Sequence, residues 1–182
     1  MCSSSPPRLK GDVMQVATRI IDSPLGGLIA GASAEGICLL EFPEPDRLEP
    51  QLQTIRRRLR CEIAPGENPH LDLLQQELGR YFAGELAAFT VPLVMRGTPF
   101  QERVWSELRR IPYGATRSYE ELARAIGAPG ASRAVGSANG MNPVAIVVPC
   151  HRVINKNGAL GGYGGQLWRK ERLLKLEGAR LF

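Results

Sequence analysis

The run Pro149-Cys150-His151-Arg152-Val153 places a thiol beside an imidazole and a guanidinium, which is a combination suited to nucleophilic chemistry. A free cysteine has a pKa of about 8.5, so little thiolate is present at neutral pH, and nearby positive charge raises that fraction. Because the thiolate is the reactive form, the run predicts that Cys150 acts as a nucleophile.

His151 is the candidate base for the Cys150 proton, and a carboxylate would fix the tautomer of its ring. The last predicted helix offers two carboxylates for this purpose, Glu171 and Glu177. A structural role is the alternative for the Cys-His pair, because neighbouring residues of a strand point to opposite faces. The surrounding sequence must decide between the two.

The other three cysteines, Cys2, Cys38 and Cys61, form no CxxC pair and have no regular spacing. Neither a disulfide framework nor a zinc ribbon is predicted from them. Zinc ligation by Cys61 and His70 is an alternative, but the tight ligand spacing of zinc sites is missing. We therefore expect no metal and no cofactor.

The first half is predicted to form a small antiparallel sheet followed by two helices. Short apolar runs lie over residues 13–22 and 28–42 and are broken by turn residues. The run Arg56-Arg57-Arg58 ends the first helix, where a solvated face and a phosphate contact are both open interpretations. The apolar residues that recur at helical spacing are Leu48, Leu52, Ile55 and Leu59, then Leu71, Leu74, Leu78 and Phe82.

The second half begins with signals for three helices. Thr98 with Gln101, and Ser118 with Glu121, have the spacing of capping boxes. The last two helices, joined by a short turn, have the size of a helix-turn-helix DNA-binding unit, and an ordinary helical hairpin is the alternative. The helices are predicted over residues 98–111, 118–126 and 132–141.

The third of these helices consists mostly of small residues around one long basic side chain, Arg133. Such a helix fits a narrow groove of DNA and recognises shape more than sequence. Close packing against a neighbouring helix is the alternative. The small residues are Ala131, Ala134, Gly136, Ser137, Ala138, Asn139 and Gly140.

The segment that carries Cys150 is predicted to be a strand, a hairpin and a loop. The β-branched, apolar residues 144–148 predict a buried strand that ends at Pro149. An Asn-Gly pair within residues 155–158 predicts a wing-like hairpin between two apolar pairs. The glycine-rich residues 161–165 lack the P-loop lysine, so we expect their backbone to line a pocket before a closing helix over residues 167–177.

Charge divides the chain where its domains are predicted to divide. Residues 1–95 carry a net charge of −3 and residues 96–182 a net charge of +8, which indicates a basic partner surface or a solvated basic face. We predict a flexible tail over residues 1–12, an α/β domain over residues 13–95 and a DNA-binding domain over residues 96–182.

No apolar run can span a bilayer and no signal core is found, so we expect no membrane partner and a cytoplasmic protein, or a nuclear one in a eukaryote.

Further motifs accompany the Pro-Cys-His-Arg-Val run, namely Asn142-Pro143-Val144, Ile146-Val147-Val148, Gly158, Gly162-Tyr163 and Leu176-Glu177-Gly178. Over residues 98–178 they resemble the O6-alkylguanine-DNA alkyltransferases, and the first half is similar only in layout. The resemblance implies an N-terminal α/β domain of ribonuclease-H-like shape and a C-terminal winged-helix domain that binds the DNA minor groove. It implies irreversible transfer of an alkyl group from O6-alkylguanine in double-stranded DNA to the protein, and leaves activity on O4-alkylthymine open.

The resemblance also implies roles for single residues. Cys150 matches the alkyl acceptor, His151 its water-mediated base, and Glu177 the carboxylate that holds the histidine. Asn142 matches a hinge that ties the recognition helix to the active site. Tyr119 matches a tyrosine that helps to rotate the target nucleotide and donates a hydrogen bond to the leaving guanine.

Arg133 matches an arginine that enters the base stack in place of the flipped nucleotide.

We expect the protein to act as a monomer, with several molecules along one DNA as an alternative. Contacts to the substrate are expected from Tyr163, Gly164, Gly165, Val153, Asn139 and Lys170. Contacts to DNA are expected from Arg133, Ala131, Ala134, Ser137, Ala138, Tyr119 and Arg152.

Two departures from the family pattern affect these expectations. Some members have a serine at the position of Gly164, so here backbone N–H groups would serve the guanine oxygen and a roomier pocket is expected. Some members bind a structural zinc in the N-terminal domain, and no convincing ligand set for it is found here.

Two other classes of function compete with the alkyltransferase. A DNA-binding regulator or lesion sensor would use the basic winged helix without the thiol, and the presence of Cys150 argues against it. A cysteine hydrolase would turn over many substrates and would need an oxyanion hole, which the sequence does not identify.

Overall fold

A four-stranded sheet forms the framework of the first half. In the computed structural model, which describes residues 13–179, its strands are β1 (Met14–Ile21), β2 (Leu28–Ser33), β3 (Gly36–Glu41) and β4 (Cys61–Pro65). Their order is β3-β2-β1-β4. The first three strands are antiparallel, as predicted, whereas β4 is parallel to β1 and is absent from the sequence prediction. The predicted flexible tail, residues 1–12, lies outside the described residues.

Two helices divide the apolar residues of the sheet into two clusters. They are α1 (Pro45–Leu59) and α2 (Pro69–Phe82), at the places that the helical spacing predicts. The α1 helix packs through Ile55 onto a smaller cluster around Val16 and Cys38. The α2 helix contributes to the larger cluster, which also holds residues of the second half. These α2 residues are Leu71, Leu74, Leu78 and Tyr81.

The arginine run at the end of α1 makes contacts within the protein. Arg58 donates to the carbonyl oxygen of Arg96 at 2.9 Å and to Oε1 of Gln101 at 3.0 Å. Arg56 lies 3.6 Å from the carboxylate of Glu49 on the same helix. These contacts favour a solvated face held to the protein over a phosphate-binding cluster.

Helices make up most of the regular structure of the second half, and both predicted capping boxes form. The hydroxyl of Thr98 accepts from the backbone of Gln101 and that of Ser118 accepts from the backbone of Glu121, with reciprocal bonds in both cases. Within residues 13–179 no helix is long and apolar enough to cross a membrane. The elements are α3 (Pro99–Leu108), β5 (Arg117–Ser118), α4 (Tyr119–Ala125), α5 (Ser132–Gly140), β6 (Val153–Ile154) and α6 (Leu167–Leu176).

The prediction of a strand over residues 144–148 is wrong. Only Val144 forms a bridge, to Leu40, and the rest of the run turns, with Ile146 at a φ of 69°. The Asn142 side chain takes the place of a neighbouring strand: Nδ2 donates to the carbonyl oxygen of Val148 at 2.8 Å, and Oδ1 accepts from the backbone of Val144 at 3.0 Å. The apolar run is therefore buried as a compact turn.

The predicted wing-like hairpin forms only in part. Its turn is present, because the backbone N–H of Gly158 donates to Asn155 at 2.9 Å. Residues 159–160 form no strand, and β6 pairs in parallel with β5 instead. The ammonium group of Lys170 binds the carbonyl oxygen of Leu160, which draws this segment toward α6.

The two halves share one apolar core and are joined at the β3 edge of the sheet. The backbone of Leu40 donates to Pro143 at 2.9 Å, and the backbone of Ala145 donates to Leu40 at 2.8 Å. Cys150 belongs to the same apolar cluster as β2 and β3 residues. The segment that leads to Cys150 is thus anchored on the sheet of the first half.

Gly36 begins β3 at a φ of 150°, and a Cβ there would lie 2.5 Å from the carbonyl oxygen of Pro92. Gly36→Ala should therefore destabilise the protein by about 1–3 kcal/mol. Gly79→Ala is the matched control, because Gly79 lies in α2, where a Cβ would meet no atom within 4 Å. This variant should increase the free energy of unfolding by roughly 0.5–1 kcal/mol. Urea unfolding measures the stability of both variants, and equal effects would show that the contact between Gly36 and Pro92 does not exclude a side chain.

Candidate active site

Cys150 lies on the wall of a cavity of about 630 Å³, where the two halves of the chain meet. It is the first residue of a short 3₁₀ helix, Cys150–Arg152, and is only 6% exposed. His151 and Glu177 are buried and do not line the cavity. The other predicted residues that line it are Tyr119, Arg133, Asn139, Asn142, Tyr163, Gly164 and Gly165.

The environment of Cys150 suppresses its ionisation. Burial raises the pKa of the thiol to about 11, and the Asn142 side chain, Lys170 and Arg47 offset this only in part. Nearby cations therefore favour the thiolate, as expected, but burial outweighs them in the free protein. The guanidinium of Arg152 is bound to Glu177 instead. Since the thiol is protonated at neutral pH, its chemistry requires a base.

His151 has the properties of that base. Burial lowers the pKa of the completely buried imidazole below its usual value, and Glu177 offsets this only in part. A neutral ring donates from Nε2 to Oε1 of Glu177, 2.7 Å away, and leaves Nδ1 as a proton acceptor. This Nδ1 atom is buried and has no hydrogen-bond partner among the described residues.

Glu177, directly after α6, is a buried carboxylate surrounded by donors. It accepts from Tyr81 Oη at 2.7 Å, from Arg152 Nε at 2.8 Å and Nη2 at 2.9 Å, and from the backbone of Gly114 at 3.3 Å. Burial alone would raise the pKa of this carboxyl, but the hydrogen bonds from His151 and Arg152 lower it to about 2. Glu177 is therefore an anion, and the donor Tyr81 was not predicted from the sequence.

Two residues take other positions than those predicted. Glu171, the alternative carboxylate for His151, pairs with Lys175 at 2.7 Å on the surface. The side chain of Arg152 is 7% exposed and donates to the carbonyl oxygen of Ile111 at 2.6 Å as well as to Glu177. Its donors are used inside the protein, which argues against the predicted DNA contact.

Lys170 of α6 is a buried lysine that holds backbone together. Its ammonium group donates to the carbonyl oxygens of Val153 at 2.5 Å, of Gly162 at 3.3 Å and of Leu160. Burial lowers the pKa of this amine to about 8. Lys170 thus ties the segment after Cys150 to the glycine-rich loop, and it occupies the carbonyl oxygen of Val153, one of the residues expected to contact substrate.

The C-terminal end of α5 is attached to the backbone of Cys150. Asn139 donates from Nδ2 to the carbonyl oxygen of Cys150 at 3.4 Å, and its Oδ1 is buried without a partner among the described residues. Asn142, two residues after α5, holds the turn that leads to Cys150. Both asparagines therefore connect α5 to the segment that carries Cys150.

The glycine-rich loop meets a residue of the first half. A Cβ on Gly164 would overlap the guanidinium of Arg47, which donates to Glu41 at 2.9 Å and to the carbonyl oxygen of Gly140 at 3.1 Å. The expected roomier pocket is not found at this position, because Arg47 fills the space. Arg47 and Glu41 line the cavity, and no local sequence pattern points to them.

The α5 helix presents one face to solvent and another to the protein. Ala138 is 3% exposed, and its carbonyl oxygen accepts from Nε1 of Trp105 at 2.8 Å, so its predicted DNA contact is not supported. Ala131 is half-buried. The exposed residues that were predicted to contact DNA are Arg133, Ala134 and Ser137.

The alternative of zinc ligation by Cys61 and His70 finds no support in their contacts. The Cys61 thiol lies 3.8 Å from the carbonyl oxygen of Ile55, and the His70 ring lies 3.3 Å from that of Ala34. Within residues 13–179 no three His, Cys, Asp or Glu side chains are grouped closely enough to hold a metal ion.

Known proteins resemble this chain over both of its halves. Family models described as the ribonuclease-like domain and the DNA binding domain of 6-O-methylguanine DNA methyltransferase match residues 16–95 and 99–179. A Mycobacterium tuberculosis methylated-DNA–protein-cysteine methyltransferase is 49% identical over 162 residues, which are 89% of this chain and 92% of that protein. A constitutive Bacillus subtilis protein of the same name is 45% identical over 144 residues, 79% and 84% of the two chains.

Solved structures extend the similarity to the fold. A crystal structure of M. tuberculosis O6-methylguanine methyltransferase has a TM-score of 0.76 at 49% identity and covers 90% of this chain and 93% of that one. A structure from the same organism in complex with DNA has a TM-score of 0.75 at 47% identity, covering 90% and 92%. The predicted domain boundary near residue 95 falls between the two ranges matched by sequence and stays a prediction.

Glu177→Gln should destabilise the protein by about 3–5 kcal/mol, because it leaves the buried guanidinium of Arg152 without its counter-ion. Glu171→Gln is the matched control on the same part of the chain, and loss of its surface pair with Lys175 should cost no more than about 0.5 kcal/mol. Chemical unfolding of the two variants measures the difference. Similar small losses for both would show that the Glu177 ion pair is not what holds this site.

Proposed function

Since the chain belongs to the 6-O-methylguanine DNA methyltransferase family, we propose that it repairs DNA by moving the alkyl group of O6-alkylguanine onto its own Cys150. The observation that carries this proposal is the Cys150 thiol on the wall of a cavity, directly before the buried His151–Glu177 pair. A cavity of about 630 Å³ has the size of a site for a small molecule or a single flipped base.

The proposed reaction is a single displacement at the alkyl carbon. A bond forms between Cys150 Sγ and this carbon as the bond from the carbon to guanine O6 breaks, and the electron pair of that bond stays on guanine. The thiol proton leaves toward Nδ1 of His151 through a water, and guanine gains a proton. The thioether product cannot release the alkyl group, so each molecule acts once.

The protonation states of Cys150, His151 and Glu177 support the transfer of the thiol proton to His151. A thiol with a pKa near 11 ionises only when a base takes its proton, and a neutral His151 held by an anionic Glu177 is suited to do so. Closing the site over an extruded base brings base, nucleophile and alkyl carbon together, which supplies most of the rate enhancement. The proton that Cys150 loses is matched by the proton that guanine gains, so the total charge of the site is the same before and after the transfer.

Tyr119 is the proposed donor to the leaving guanine. It lines the cavity, and its hydroxyl lies 3.5 Å from the carbonyl oxygen of Gly162. Burial raises the pKa of this phenol, so the hydroxyl keeps its proton at neutral pH. A protonated hydroxyl at the cavity wall can donate to guanine as its negative charge develops.

Double-stranded DNA is the proposed partner, bound through the exposed face of α5. Arg133, Ala134 and Ser137 lie on this face, and the second half of the chain carries the net charge of +8. Small side chains allow the helix to enter the minor groove, and Arg133 at the cavity is placed to fill the stack that the base leaves. We propose that the protein acts as a monomer, in the compartment that holds the DNA substrate, which is the cytoplasm or, in a eukaryote, the nucleus.

Transfer should stop at one alkyl group per protein molecule, because the thiol is consumed. Incubation with an excess of O6-methylguanine duplex, followed by mass analysis of peptides, should place a single methyl group on Cys150. Cys150→Ser should abolish transfer and keep DNA affinity, because an alcohol with a far higher pKa cannot replace the thiol. Cys61→Ser, which changes a cysteine of the first half, should leave transfer unchanged. Repaired DNA that accumulates well beyond one equivalent of protein would contradict the proposal.

Arg133→Ala should slow repair of a fully paired duplex by roughly 10–100-fold, because the side chain offsets part of the few kcal/mol that base flipping costs. Repair of a bulged duplex should slow less, and reaction with free O6-benzylguanine should not change. Arg172→Ala removes one exposed positive charge from α6 and serves as the control for general electrostatic attraction, which high salt suppresses. Single-turnover rates on the three substrates decide, and an equal loss on paired and bulged DNA would remove the flipping role.

A further inference from the structure

A hydrogen bond crosses from the first half of the chain to the carboxylate that holds His151. Tyr81, near the end of α2, donates from Oη to Oε1 of Glu177 at 2.7 Å, over a separation of 96 residues. Building on the proposed function, we propose that Tyr81 is a positioning residue for alkyl transfer, which holds Glu177 and thereby sets the orientation and basicity of His151. The α/β domain would then take part in the reaction through this tyrosine.

The position of the Tyr81 hydroxyl is fixed by its surroundings. The side chain is completely buried. Its ring packs edge-on against Phe82 and Tyr113, with ring centres 5.3 and 6.1 Å away, and lies 5.4 Å from the ring of Phe89. Because these rings leave it no alternative orientation to solvent, the hydroxyl is held at the carboxylate.

Tyr81 shares its acceptor atom with the histidine. Oε1 of Glu177 accepts from Tyr81 Oη, from His151 Nε2 at 2.7 Å and from Arg152 Nη2 at 2.9 Å, whereas Oε2 accepts from Arg152 Nε and the Gly114 backbone. Each added donor withdraws charge from Oε1 and weakens its attraction for a protonated imidazole. The tyrosine therefore helps to keep His151 neutral and able to accept a proton.

The charged groups around Glu177 and His151 determine whether loss of the Tyr81 hydroxyl raises or lowers the pKa of His151. Glu177 favours the protonated imidazole, while burial and the cations Arg152 and Lys170 disfavour it. The hydroxyl of Tyr113 is near but donates to the carbonyl oxygen of Leu176 at 3.2 Å. Removing only the Tyr81 hydroxyl leaves more negative charge on Oε1, so the pKa of His151 should rise.

A tyrosine that only packs in the core would behave differently. Its loss would lower stability and reduce the fraction of active protein equally at every pH. A positioning role moves the pH at which the rate falls in acid, because protonated His151 cannot accept the Cys150 proton. The pH dependence therefore separates the two roles.

The test compares Tyr81→Phe with Tyr113→Phe, which removes a neighbouring hydroxyl that does not bind Glu177. Rates of alkyl transfer from free O6-benzylguanine are measured between about pH 5 and pH 9, so that DNA binding does not contribute. Histidine titration by NMR gives the pKa of His151 directly. Thermal unfolding confirms that each variant is folded.

In Tyr81→Phe, the pKa of His151 and the acid limb of the rate profile should both move upward by about one pH unit, and the plateau rate should fall several-fold. Neither should move in Tyr113→Phe. An unchanged His151 pKa with an unchanged acid limb in Tyr81→Phe would overturn the inference, whatever the loss of stability. If the unmodified protein formed no Cys150 adduct, the proposed function would fail, and the His151 titration would still decide whether Tyr81 controls the imidazole.

Discussion

The buried carboxylate of Glu177 is the group on which the arrangement of the site depends. A buried anion is tolerated only when donors replace its lost hydration, and here the donors come from α2, from the turn at Gly114 and from the 3₁₀ helix that begins at Cys150. The same charge therefore does three things. It orients the histidine, it neutralises Arg152 inside the protein, and it draws the two halves of the chain together around the cavity.

In the proposed reaction, the reactivity of Cys150 follows from this arrangement rather than from the positive charges that adjoin it in sequence. The guanidinium of Arg152 is bound to Glu177, and burial keeps the Cys150 thiol protonated. Since thiolates are also the form that oxidants attack, a protonated, buried thiol is protected until a substrate enters the cavity. For the single transfer that we propose, a nucleophile that ionises only during the reaction avoids loss of the one thiol that can accept the alkyl group.

Much of the second half was predictable because its signals are local. The capping boxes at Thr98 and Ser118 lie within four residues of sequence, and the motif around Cys150 identified the family. The strand predicted over residues 144–148 does not form, because the side chain of Asn142 satisfies backbone groups that a neighbouring strand would otherwise bind. Tyr81 and Arg47 were missed for a different reason. Their partners, Glu177 and Gly140, lie more than 90 residues away, and no local periodicity encodes such contacts.

We propose that Cys150 remains a thiol at neutral pH and loses its proton only to His151 during the reaction. Selective ¹³C labelling of cysteine Cβ atoms, with Cys150→Ser to identify the resonance, reports the ionisation of this residue directly. Cys150 should stay protonated from pH 6 through about pH 9, with its titration centred near 11. A Cys150 thiolate already present at about pH 7 in the free protein would contradict it.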